Sequence, residues 1–141
     1  MGLRGPPRAG LTGSSFLVLG ILLALPGYAL SRWAGVIDWR VLVGAPVAMS
    51  AFAFLAYRSD KLRATTGGWR VPEVTLQVTA LLGGWPGAFL AQRIYRHKTA
   101  KASFLAVYWI IVAVHQYLAL DSLLAWRLAR AAALLVRSWL G

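Results

Sequence analysis

Charged residues are spaced along this chain so that four stretches carry none: 9 to 31, 41 to 57, 74 to 92 and 102 to 120. Each is 17 to 23 residues long, the length an apolar helix needs to cross a bilayer core of about 30 Å. At that depth backbone N–H and C=O groups must be satisfied within their own segment, which a helix does and an isolated strand does not. With 59% of residues hydrophobic and 13% charged, the expected fold is an all-α integral membrane protein with four hydrophobic segments. Cysteine is absent, which excludes disulfides, thiolate nucleophiles and Cys-ligated metal centres. Lys and Arg total 15 against 4 acidic residues, a net charge of +11. In a soluble chain that excess would suggest nucleic acid. Here the cations flank apolar runs, so the expected partners are membrane lipids with anionic headgroups.

Residues 1 to 10 are basic and rich in Gly and Pro, and read as a disordered lead-in. Residues 11 to 141 read as a single membrane domain. Arg4 and Arg8, followed by an apolar run and Gly27-Tyr28-Ala29, have the outline of a signal peptide. The uncharged stretch nevertheless continues to Ser31, and Trp33 can anchor its end, so a retained helix is the favoured reading. The second run is crowded with small residues, including Gly44, Ala48, Ser50, Ala53 and Ala56, that admit a neighbouring helix closely. Gly67-Gly68 marks a turn before the third run. Pro72 suits the start of the next helix, with Glu73 in its first turn. The third run is then broken at Gly83-Gly84-Trp85-Pro86-Gly87, where Pro86 cannot donate to Leu82 and crowds its carbonyl. After the fourth run, Asp121 and Ser122 offer an N-cap. Arg127, Arg130 and Arg137 then share a sector of about 80° on a C-terminal amphipathic helix expected to lie in the membrane interface.

Tyr57, Asp60-Lys61, Ala64, Arg70-Val71-Pro72-Glu73, the Gly83 to Gly87 break, His97-Lys98-Thr99, Lys101 and Phe104 occur in a characteristic order and spacing. In these elements the chain resembles the bacterial membrane proteins called the domain of unknown function 1294 family, over roughly residues 57 to 110. The resemblance implies a multi-pass protein of the bacterial cytoplasmic (inner) membrane and assigns no activity. Some relatives carry a cold-shock domain before the first helix, which implies a cytoplasmic N-terminus. No such domain precedes the first run here, so nucleic acid is not an expected partner.

The third run can cross fully or dip in and return. Full crossing, the favoured expectation, puts nine basic residues inside and six outside. Re-entry gives ten and five and brings both basic motifs to one face. Asp60, Lys61, Arg70 and Glu73 read first as ion pairs tying the 57 to 73 segment together, and second as a charged pocket for a phosphate or carboxylate headgroup. His97 stands among Arg96, Lys98 and Lys101, with no second ligand at metal-binding spacing, so neither metal nor cofactor is expected. Full crossing also sets Thr79 level with His115, and Gln77 level with Gln116 or Tyr117, as interhelical hydrogen-bonding pairs. Gly83 and Gly87, with Ala80, Gly84 and Ala91, form a small-residue face for helix contact.

The favoured function is a non-enzymatic membrane protein in which Lys61, Arg70, His97, Lys98 and Lys101 bind an anionic headgroup or a partner protein, with a helix–helix oligomer as a further expectation. The alternative is an enzyme acting on a lipid-linked phosphate or headgroup at the cytoplasmic face, with Asp60, Glu73 and His97 as catalytic candidates. That alternative requires re-entry.

Overall fold

A computed structural model describes residues 11–96 and 101–140. The lead-in of residues 1 to 10 lies outside the described residues. All the described secondary structure is helical: α1 (Gly13–Ser31), α2 (Trp39–Thr66), α3 (Glu73–Thr79), a widened turn (Ala80–Gly84), α4 (Trp85–Tyr95), α5 (Ala102–Leu123) and α6 (Arg127–Leu140). Four helical stretches are long and apolar enough to cross a membrane, among them the broken 73 to 95 run.

That broken run does not cross. A straight helix over its 23 residues would be about 35 Å long and would carry Glu73 and Lys101 to opposite ends of the bundle. Instead Lys101 Nζ lies 2.8 Å from Glu73 Oε2, and the amide of Gln92, near the end of α4, donates to the hydroxyl of Tyr57 in α2. The run therefore enters as α3, turns at Gly83 and returns as α4, against the expectation of full crossing.

The cause of the reversal is Gly83, whose φ of 102° lies in the region an L side chain enters only with strain. Pro86 is not the hinge. It falls in the first turn of α4, where its missing donor would have had no helical acceptor and its ring clashes with nothing.

The hairpin forms the interior of the molecule. Half of the apolar stretch in the 73 to 95 run is buried, against 6% in α2 and 17% in α1. Leu76, Ala88, Phe89 and Ala91 from the hairpin pack with Ala53 and Tyr57 of α2 and with Phe104 and Tyr108 of α5. Close approach to α2 rests on two glycines. A Cβ at Gly84 would sit 2.7 Å from the carbonyl oxygen of Met49 and 2.9 Å from Ala53 Cβ, and one at Gly87 would overlap the Ser50 carbonyl. The small-residue face is thus a packing face, as expected, but through Gly84 and Gly87. Gly83 has open space around it and serves the turn.

α1 and α5 run side by side in the same direction, linked by the Gln116 amide donating to the Leu22 carbonyl at 2.7 Å. Pro26 explains this bond. Its ring nitrogen cannot donate to Leu22, and Gln116 supplies the missing proton. The pairs expected from full crossing do not form. Thr79 Oγ1 donates to Leu76 O at 2.9 Å, and His115 Nδ1 lies 2.8 Å from Ile111 O, each within its own helix. The physical reason is the reversal, which stops the third run from lying antiparallel to α5 along its length.

Beyond α5, Ala125 and Trp126 adopt left-handed backbone and the chain turns into α6. The buried Asp121 carboxylate accepts from the N–H groups of Leu128 and Ala129 at 2.9 and 3.1 Å. Asp121 is therefore a cap for α6, as expected, although it reaches there from inside α5. α6 is strongly amphipathic and buries no residue.

Candidate functional site

The hairpin collects at one end of the bundle most of the polar residues that the sequence singles out. Asp60 is fully buried near the C-terminal end of α2, where Gly67, at φ 71°, ends the helix. The segment that follows folds back, and the backbone N–H of Val71 donates to Asp60 Oδ1 at 3.0 Å. Arg70 Nε stands 3.8 Å from the same oxygen, with the Arg70 side chain more than half exposed. Pro72 then precedes α3, and Glu73 in its first turn reaches Lys101 just ahead of α5. Three separate segments are thereby joined by two carboxylates: Asp60 holds the Val71 N–H and the Arg70 side chain, and Glu73 holds the start of α5.

Beneath these charges lies a buried polar layer. The Gln92 amide donates to the Tyr57 hydroxyl at 3.2 Å, and the Tyr57 ring meets the Phe104 ring edge-on at 6.2 Å. One turn deeper, Tyr108 donates from its hydroxyl to the carbonyl of Trp85 at 3.0 Å, fastening the returning arm to α5. Among the described residues every buried side-chain nitrogen and oxygen has a hydrogen-bond partner, as burial requires. Arg93 lies with its guanidinium 3.5 Å from the centre of the Phe89 ring, and Arg96, in left-handed backbone, ends α4.

Of the expected binding set, Lys61, Arg70 and Lys101 come to this end together with Asp60 and Glu73. His97 and Lys98 lie outside the described residues. Of the break residues, Gly83 makes the turn, Gly84 and Gly87 make the contact with α2, Trp85 is buried and accepts from Tyr108, and Pro86 starts α4. Gln92 and Tyr108 were missed as structural partners. The legible signal for Gln92 was an amide closing a mostly apolar run, and for Tyr108 a hydroxyl within one. Among the described residues no group of three or more His, Asp or Glu side chains is placed to hold a metal ion.

Fold and site together define a multi-pass helical membrane protein with a hairpin that enters the bundle and leaves at the same end. Residues 50–104 match the family described as Protein of unknown function (DUF1294), so the resemblance carried by the motifs is borne out over the hairpin and its flanks. The matched segment begins at Ser50, whose carbonyl Gly87 packs against, and ends at Phe104, which packs on Tyr57. No curated protein and no solved structure shows significant similarity to the chain.

Proposed function

We propose that the hairpin end of the bundle is a binding surface for the anionic headgroups of membrane lipids, in a non-enzymatic protein of the bacterial cytoplasmic membrane. The observation that supports this is the imbalance of charge there. Arg58, Lys61, Arg63, Arg70, Arg93, Arg96 and Lys101 share an end with two carboxylates, Asp60 and Glu73. Asp60 accepts from the Val71 N–H and pairs with Arg70, and Glu73 holds Lys101, so this end keeps a net positive charge, with Arg58 and Arg63 exposed. Each contributes about 1 kcal/mol near an anionic surface. The return of the hairpin also favours the ten-to-five division of basic residues, which supports a cytoplasmic location for this end.

Native mass spectrometry of the purified protein with mixed phosphatidylglycerol and phosphatidylcholine tests the proposal. Preferential retention of phosphatidylglycerol, reduced by Lys61→Ala and Arg70→Ala, is the expected result. Equal retention of the two lipids, unaltered by both changes, removes its basis.

A second reading, an enzyme acting on a lipid-linked phosphate, draws support from the same hairpin because Asp60 and Glu73 share an end with Arg93, Arg96 and Lys101. The structural contacts of both carboxylates rank it second. Loss of cellular function in Glu73→Gln with lipid retention intact would reverse that ranking.

A further inference from the structure

Because the hairpin turns at Gly83, it fills the space between α2 and α5 only at the end where it enters. At the other end a cavity of about 400 Å³ opens between α1, α2, α5 and the hairpin tip, within the size range of small-molecule sites, roughly 300–1,000 Å³. Leu30, Pro46, Gly83, Trp85, His115 and Ala119 are among its walls. Its polar side chains are turned to their own helices: His115 Nδ1 lies 2.8 Å from Ile111 O, and Ser122 Oγ donates to Ala119 O at 2.7 Å. The rest of the wall is largely apolar, with the indoles of Trp33 and Trp85 in it, and a largely apolar cavity offers water few partners.

Its far rim is different. Trp33 and Ser122 line this cavity and also a second, polar one of about 300 Å³ whose wall includes Arg32. Arg32 is exposed. The nearby carboxylates are already used: Asp121 caps α6, and Asp38 accepts from the Arg40 N–H. An apolar chamber at membrane depth thus leads past an interfacial tryptophan to a cation.

We propose that this chamber takes one hydrocarbon chain of an anionic membrane lipid, with the headgroup at Arg32. The site is separate from the hairpin end and does not rest on the function proposed for it. Hydrocarbon is the only solvent available at that depth, and the arginine at the rim selects the charge of the head.

The test uses the full-length protein in phosphatidylcholine vesicles containing a trace of phosphatidylglycerol that bears a photoreactive diazirine in mid-chain, with adducts mapped by mass spectrometry. The same diazirine chain on phosphatidylcholine serves as the neutral probe. Adducts should concentrate on Leu30, Leu118 and Ala119 relative to the exposed Val43 and Ile110. Ala119→Leu, and independently Leu30→Phe, should lower them, and Arg32→Gln should reduce the preference for the anionic probe about five-fold, the effect of one cation at an anionic surface. Arg70→Ala at the other end should leave these adducts unchanged. Labelling spread evenly over lipid-facing positions, or equal labelling by the two probes, overturns the proposal. So does a disulfide between introduced Leu118→Cys residues of two copies, which would show the chamber covered by a second chain.

Discussion

Lys101 and Glu73 are 28 residues apart in sequence and 2.8 Å apart in space. The whole of the third apolar run lies between them, so this one contact states that the run returns to the end from which it started. The pair marks the topology more than it stabilises it, because its side chains are 56% and 34% exposed, and exposed ion pairs contribute about 1 kcal/mol or less.

The first prediction is topological. The natural chain has no cysteine, so single cysteines introduced at Ala64, Ala102 and Ser138 can be labelled with a membrane-impermeant maleimide. Ala64 and Ala102 should react from one side and Ser138 from the other. Reaction of Ala102 from the same side as Ser138 would refute the hairpin.

The second concerns the turn and its packing. Gly87→Ala drives a methyl into the Ser50 carbonyl and should cost about 1–3 kcal/mol, the usual penalty of overpacking. Gly83→Ala has room for the methyl but not the backbone freedom, and should cost about 1–2 kcal/mol. Pro86→Ala should stay within about 0.5 kcal/mol, since no helical bond is restored at that position. Thermal unfolding in detergent micelles ranks the three. A tolerated Gly87→Ala would contradict the close approach of α4 to α2.

The third separates charge from hydrogen bonding at Asp60. Asp60→Ala leaves the Val71 N–H without its acceptor inside the protein and should destabilise by about 1–3 kcal/mol. Asp60→Asn keeps an acceptor oxygen in nearly the same place and should cost less. If the two variants unfold at the same temperature, the bond to Val71 is not what holds this segment.

The fourth concerns α6. Removing the two hydrogen bonds of its cap with Asp121→Ala should cost about 0.5–2 kcal/mol, with the loss confined to the helix it caps. Hydrogen exchange should therefore accelerate at residues 128 to 131 while the amides of 108 to 115 keep their protection. Uniform acceleration would mean that Asp121 supports α5 instead.

The helical class, the four apolar runs, the break and the amphipathic C-terminal helix were all legible, since each depends on local composition and period. The direction of the chain after the break was not. Hydropathy registers that residues 74 to 92 are apolar and is blind to whether they continue or reverse, and a glycine at φ 102° reads in sequence like any other glycine. Pro86 drew attention because its covalent chemistry is visible, yet its place in the first turn of α4 makes it harmless. Because the chain reverses at Gly83, Thr79 and His115 are not aligned in depth, and each bonds within its own helix. Gln116 is legible as an interhelical donor but its acceptor is not, because the Leu22 carbonyl is released by Pro26, four residues further along α1 and 90 residues before Gln116. Asp60, Arg70, Glu73 and Lys101 were recognisable as a set, but that they assemble at one end required the reversal at Gly83.

The turn at Gly83 also fixes parity. Three full crossings remain, by α1, α2 and α5, so residue 11 and residue 140 face different compartments. A reporter enzyme fused after α6 would report the side opposite to that given by counting four apolar runs, and the hairpin arms, of 7 and 11 residues, are each too short to commit the insertion machinery to a crossing. The orientation of the final third of the protein is thus decided by whether a single glycine completes its turn before α5 enters the bilayer.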